Sequence, residues 1–129
     1  MLLGSENAQV AQALAFLVNV LLREHKFGEA ESFARKCVET REKIMPDNWL
    51  TFSARSLLGG SLLGQKKFAE AESFLKSGYE GIRARKDEAS EMRLKEAGER
   101  LLQLYEATGR SAEASELKKQ LPASSDEQY

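Results

Sequence analysis

The sequence predicts an all-α fold in which antiparallel helix pairs stack as a solenoid, and three observations carry that reading. One stretch of sequence recurs along the chain, apolar residues within each copy fall at helical spacing, and helix breakers are scarce, with two prolines and nine glycines in 129 residues. A hydrophobic share of 42% and a charged share of 30% describe a chain able to bury a core while keeping a solvated surface.

The repeat can be read directly. Leu-Leu-Arg-Glu-His-Lys-Phe-Gly-Glu-Ala-Glu-Ser-Phe at 21–33 returns as Leu-Leu-Gly-Gln-Lys-Lys-Phe-Ala-Glu-Ala-Glu-Ser-Phe at 62–74, an offset of 41. Aligning 21–40 with 62–81 gives ten identities in twenty positions. A third, more divergent copy runs from Tyr105 to Leu117, with Ala114 falling 43 residues after Ala71.

Six helices are expected, near 6–24, 27–44, 48–65, 68–86, 89–108 and 111–121. They group into repeats at about 8–45, 49–86 and 89–121, followed by a polar tail at 122–129. In the first pair, Leu14, Leu17, Val18 and Leu21 share a stripe of one helix, and Phe27, Ala30, Phe33 or Ala34, and Cys37 share a stripe of the next. Turns fall at 24–26, 65–67 and 108–110, where Gly109 suits the left-handed residue that ends a helix. Pro46 cannot continue a helix, and Asp47 or Asn48 after it is a good N-cap. Gly59 and Ala71 are expected where the helices of the middle pair come closest, because a glycine inside a helix costs about 1 kcal/mol relative to alanine and needs a packing reason. Phe27, Phe33, Phe68 and Phe74 are expected as wedges between helices, and Trp49 as an anchor at the joint between repeats. The first helix carries Leu14, Phe16, Leu17, Val18, Val20, Leu21 and Leu22 on almost every face, as in a helix covered on both sides. Residues 3–7 are related to the connector at 44–48. Together these features raise the expectation that the chain is the C-terminal part of a longer array.

Catalysis finds little support. The net charge of −1 supplies no basic field for nucleic acid or an anionic membrane. One histidine, His25, and one cysteine, Cys37, predict neither a metal site nor an internal disulfide. His25 is expected as polar filler of a turn, and Cys37 as a small core residue equivalent to Gly78. Glu29 with Glu31, and Glu70 with Glu72, diverge on a helix and are expected on a solvated face. The glycines at 59, 60 and 64 lack the Lys-Ser/Thr of a phosphate-binding loop, so no cofactor is expected. The apolar stretch from Ala11 to Leu22 is interrupted by Gln12 and Asn19 and falls short of the roughly 20 residues of a membrane span. The start lacks the basic head and apolar run of a secretory signal, so a cytoplasmic location is expected.

The residues Leu58, Gly59, Leu62, Phe68, Ala71 and Gly78, with their counterparts in the other copies, give a pattern that resembles the tetratricopeptide repeat. The offset of 41 and Glu-Lys-Ile-Met-Pro-Asp-Asn at 42–48 are similar to its long kinesin-light-chain type. That type also occurs in bacterial multi-repeat proteins, including arrays attached to serine/threonine kinases. Arg55 and Gly98 stand where a bulky residue is usual, and Ser111 replaces an aromatic. The resemblance implies a right-handed superhelix of about three repeats that acts as a non-catalytic scaffold and binds a peptide or protein partner in a concave groove. It maps the groove onto Gln12, Asn19, Arg23, Ser56, Gly60, Leu63, Glu99, Gln103 and Glu106, with Ala15, Ser53 and Glu96 beside them. Ser56 and Gly60 are expected to leave a shallow pocket between a polar and an acidic wall, suited to a segment with basic character near one end. The alternative is a spacer, or a module that self-associates weakly through the uncovered N-terminal helix.

Overall fold

The computed structural model describes residues 7–121 and holds six helices in the expected order. These are α1 (Ala8–Arg23), α2 (Phe27–Ile44), α3 (Trp49–Gly64), α4 (Phe68–Ala84), α5 (Glu91–Ala107) and α6 (Ser111–Gln120). No strand occurs among the described residues. The tail expected at 122–129, and all of the related connector at 3–7 except Asn7, lie outside the described residues.

The caps explain where the helices begin. Asn7 Oδ1 accepts from the Gln9 N–H at 2.6 Å, Asn48 Oδ1 from the Leu50 N–H at 2.9 Å, and the Ser90 hydroxyl from the Arg93 N–H at 3.3 Å. Each first helix of a pair therefore starts just after a polar cap, one or two residues later than expected. Each pair then turns on the same motif. The Lys26 N–H donates to the Leu21 carbonyl at 2.9 Å, Lys67 to Leu62 at 3.0 Å, and Arg110 to Tyr105 at 2.8 Å. This is the backbone pattern of a Schellman motif. Its left-handed corner is Gly109 in the third repeat, at φ 73°, but His25 at 60° and Lys66 at 63° in the first two. A side chain in that conformation costs about 1–2 kcal/mol, which the rigid turn imposes.

Packing follows the repeat. Gly78 marks a close backbone crossing: a Cβ there would lie 2.8 Å from the Ser56 nitrogen and 2.9 Å from the Phe52 carbonyl oxygen. A Cβ on Gly59 would lie 2.6 Å from Leu75 Cγ, the close approach expected there, and Ala71 is fully buried. In the first pair Cys37 takes the place of Gly78 and donates its Sγ proton to the Ala11 carbonyl at 3.4 Å. Ala11 stands where the second pair has Phe52, so a smaller residue on one helix meets a larger one on its neighbour. The largest fully buried side chains include Leu58, Leu62, Leu75, Ile82 and Leu104. Phe33, Phe68 and Phe74 are only half-buried at the core margin, and Phe27 is half-buried where it would meet a Cβ on Gly64.

Glu31 and Glu72 depart from the solvated face expected of them. Glu31 accepts from Gln65 Nε2 at 2.8 Å, Arg35 Nε at 2.8 Å and Lys67 Nζ at 3.2 Å. Glu72 takes Arg110 in a two-pronged contact at 2.5 and 2.9 Å. Each glutamate thus ties the second helix of its own pair to the turn of the next.

Candidate functional site: the cleft on the first helices

The first helices approach one another closely, α1 to α3 and α3 to α5, whereas the second helices stand further apart and meet through long side chains, Arg35 of α2 reaching Glu70 of α4 at 2.6 Å and Tyr79 of α4 reaching Gln120 of α6 at 3.2 Å. Close spacing on one side and open spacing on the other curves the stack, so the first helices form its inner face.

On that face a cleft of about 190 Å³ opens between α1, α3 and α5. Gln12, Ala15, Phe16 and Asn19 come from α1, Trp49, Ser53 and Leu57 from α3, Arg41 from the end of α2 and Arg93 from α5. Phe16 is 72% exposed. Arg41 is buried, donates from Nη1 to the Leu50 carbonyl at 3.0 Å, and has its pKa pulled down by burial. Arg93 pairs with Glu96 at 2.7 Å, and Asn19 Nδ2 donates to the Ala15 carbonyl at 3.1 Å.

Of the candidate residues, the structure brings Gln12 and Asn19 into this cleft, with Ala15 and Ser53. It does not leave the pocket expected at Ser56 and Gly60. Arg100 from α5 donates to the Ser56 hydroxyl at 3.1 Å, and a Cβ on Gly60 would lie 3.1 Å from Arg100 Cδ. The small residues therefore make room for the half-buried Arg100 side chain. Burial pulls the Arg100 pKa down. Leu63 packs against the core margin, while Arg23 is exposed at the end of α1 and Glu99, Gln103 and Glu106 are exposed on α5. Phe16, Arg41, Trp49, Arg93 and Arg100 were absent from the expected set. Arg41 was the most legible of them, because the next repeat has Ile82 in its place and a cation there has no core role to fill. Trp49, expected only as a packing anchor, stands in the cleft wall.

Two of the departures from the repeat pattern, Arg55 and Gly98, each have a local packing reason on the outer side. In the crevice between α2 and α4, Arg55 lies over the Phe74 ring at 5.1 Å, pairs with Glu42 at 2.5 Å and donates to Ser77 at 2.8 Å. Gly98 holds the matching position in the α4–α6 crevice, and the space beside it is taken by Leu121, which a Cβ there would strike. A crevice of about 610 Å³ remains, lined by Tyr79, Leu101, Tyr105 and Leu117 among others.

Among the described residues, no cluster of His, Cys, Asp or Glu is arranged to hold a metal, and no helix is long and apolar enough to cross a membrane. The Cys37 thiol is pushed up by burial, away from the thiolate a nucleophile needs.

Helix pairs, recurrent caps and an inner face of first helices define an all-α helical-repeat protein. Residues 10–48 match the model of the tetratricopeptide repeat, a stretch that holds most of α1, all of α2 and the connector. The half-identical second copy reproduces the same turn, so the match supports reading the chain as a tetratricopeptide repeat protein. No curated protein matches the chain.

Proposed function

We propose that this chain is a non-catalytic protein-interaction scaffold whose inner cleft receives a segment of a partner protein. Tetratricopeptide repeats generally mediate contacts between proteins, and here the carrying observation is an exposed Phe16 beside Gln12, Asn19, Arg41 and Arg93 in one cleft. A preformed concavity that pairs an aromatic surface with fixed donors favours an extended or helical segment. Such a segment would place an apolar side chain on Phe16 and Trp49 and present carbonyl or carboxylate oxygens to the donors. The arginines move the preference away from the basic segment expected from the sequence, since Glu99, Gln103 and Glu106 lie on α5 outside the cleft lining. The kinesin-light-chain-like spacing belongs to the same reading.

The test is selection of ligands from a random-peptide display library, repeated with Gln12→Trp, which fills the cleft from an exposed position, and with Lys36→Trp on α2 as a control. Peptides bound by the parent and by Lys36→Trp but lost with Gln12→Trp support the cleft. Peptides indifferent to Gln12→Trp place binding elsewhere.

A further inference from the structure

We infer that the cleft accepts an acidic side chain of the partner segment, a glutamate or aspartate within its chain, and that Arg41 is the residue that selects it. This rests on the cleft reading and names the chemistry the cleft prefers.

The charge around the cleft is one-sided. Its lining includes two arginines, Arg41 and Arg93, and no aspartate or glutamate. Arg93 has a counter-ion in Glu96, which stands outside the lining. Arg41 has none among the described residues, although it is only 4% exposed. The arginines that hold the outer joints are treated differently, since Arg35, Arg55 and Arg110 each pair with a glutamate. A buried cation without a counter-ion is costly, and the second repeat avoids the cost with Ile82 at the equivalent position. The Leu50 carbonyl and the C-terminal end of α2 supply partial negative charge that favours the cation, but neither is a counter-ion.

The unused donors of Arg41 reach the opening. Nη1 donates to the Leu50 carbonyl at 3.0 Å, whereas Nε and Nη2 donate to nothing among the described residues. No side-chain nitrogen there is both shut away from solvent and without a partner, so Nε and Nη2 reach water, and the cleft is the opening that Arg41 lines. Together they form one edge of the planar guanidinium, which takes both oxygens of a carboxylate.

Size selects a side chain. A volume of about 190 Å³ is the share of about six waters, below the roughly 300–1,000 Å³ of a pocket that takes a whole small molecule. A side chain enters such a space while its main chain stays on the lip beside the exposed Phe16. Trp49 and Leu57 offer apolar surface to its methylenes, and Gln12 and Ser53 add donors near its head.

The test uses peptides that display selection recovers on the parent and loses on Gln12→Trp. They should share an aspartate or glutamate next to an apolar residue. One such peptide is synthesised with the acid or its amide at that position, and binding is read by isothermal calorimetry. The amide should bind the parent about 10–100-fold more weakly. Arg41→Ile, which installs the second repeat's residue, should weaken the acidic peptide by the same factor and leave the amide peptide almost unchanged, with no fall in melting temperature. Arg41→Lys, which keeps the charge but loses the fork, should fall between the two. Amidation of the peptide's C-terminus should change nothing. Cleft-dependent peptides without a shared acid overturn the proposal and leave the cleft reading standing. An acid whose replacement costs as much on Arg41→Ile and Arg41→Lys as on the parent does the same. Loss of binding on C-terminal amidation moves the carboxylate to the main-chain end and overturns the side-chain assignment. Peptides indifferent to Gln12→Trp remove the cleft reading and this proposal together.

Discussion

Lys67, in the turn before α4, reaches Glu31 on α2 with Nζ 3.2 Å from Oε1, and Arg110 repeats the contact to Glu72 in the next joint. The conserved spelling of the two copies around Glu-Ala-Glu-Ser is thereby explained as a joint between repeats. Gln65, Arg35 and Lys67 hold the Glu31 carboxyl down from the ordinary 4.5 to about 2. A carboxylate whose folded pKa is depressed contributes stability above its unfolded pKa and loses it as pH falls through the folded one. Thermal melts should hold the Glu31 contribution at neutral pH and lose it between about pH 4.5 and about 2. Glu31→Gln should cost about 1 kcal/mol at neutral pH, a modest figure because the site is partly open to solvent, and should flatten the melting curve's dependence on pH across that window.

The glycines of α2 and α4 should respond in opposite directions to the same substitution. Gly78→Ala places a methyl against the Ser56 backbone and is expected to destabilise by about 2–3 kcal/mol, because backbone cannot step aside as a side-chain tip can. Gly28→Ala meets nothing within 4 Å and should stabilise by about 0.5–1 kcal/mol through helix propensity alone. Chemical denaturation of the two variants checks both signs at once.

The left-handed corners make a second opposed pair. Lys66→Gly relieves a side chain held at φ 63° and should raise stability by about 0.5–1 kcal/mol, whereas Gly109→Ala at φ 73° should lower it by about 1 kcal/mol. Unfolding midpoints of these variants decide whether the turn geometry is imposed equally in every repeat.

Arg100 and Gly60 should prove energetically coupled. Arg100→Ala removes the donor to Ser56 and is expected to cost about 1–2 kcal/mol. It also empties the space into which a Gly60 methyl would project, so Gly60→Ala should be better tolerated in that background than in the parent. A double-mutant cycle reads this coupling, and strict additivity would remove Arg100 from the Gly60 gap.

Much of the fold was legible because local chemistry repeats. The offset of 41, the apolar stripes, Pro46 and the Asn48 cap place six helices within a few residues of where they stand. The equivalence of Cys37 with Gly78 follows from register alone. The left-handed corners at His25 and Lys66 were not legible, since neither residue prefers that conformation and only the Schellman hydrogen bonds hold it.

The site was half legible. Gln12 and Asn19 lie in the cleft as their positions on the first helix predicted, because helical periodicity assigns a face without knowledge of the neighbours. Gly60 and Ser56 read as a gap, yet whether a gap stays open depends on what reaches it from another element. Arg100 lies 40 positions from Gly60 and is not marked by the repeat.

The sequence by itself determined the helices, their pairing and their order, since these follow from spacing, caps and turns within a few residues of each other. Only the tertiary structure decided which small residues are contacts and which are openings, and where Arg41 and Arg100 place their guanidinium groups. Those outcomes are set by long side chains reaching across helices, a reach that no local period encodes.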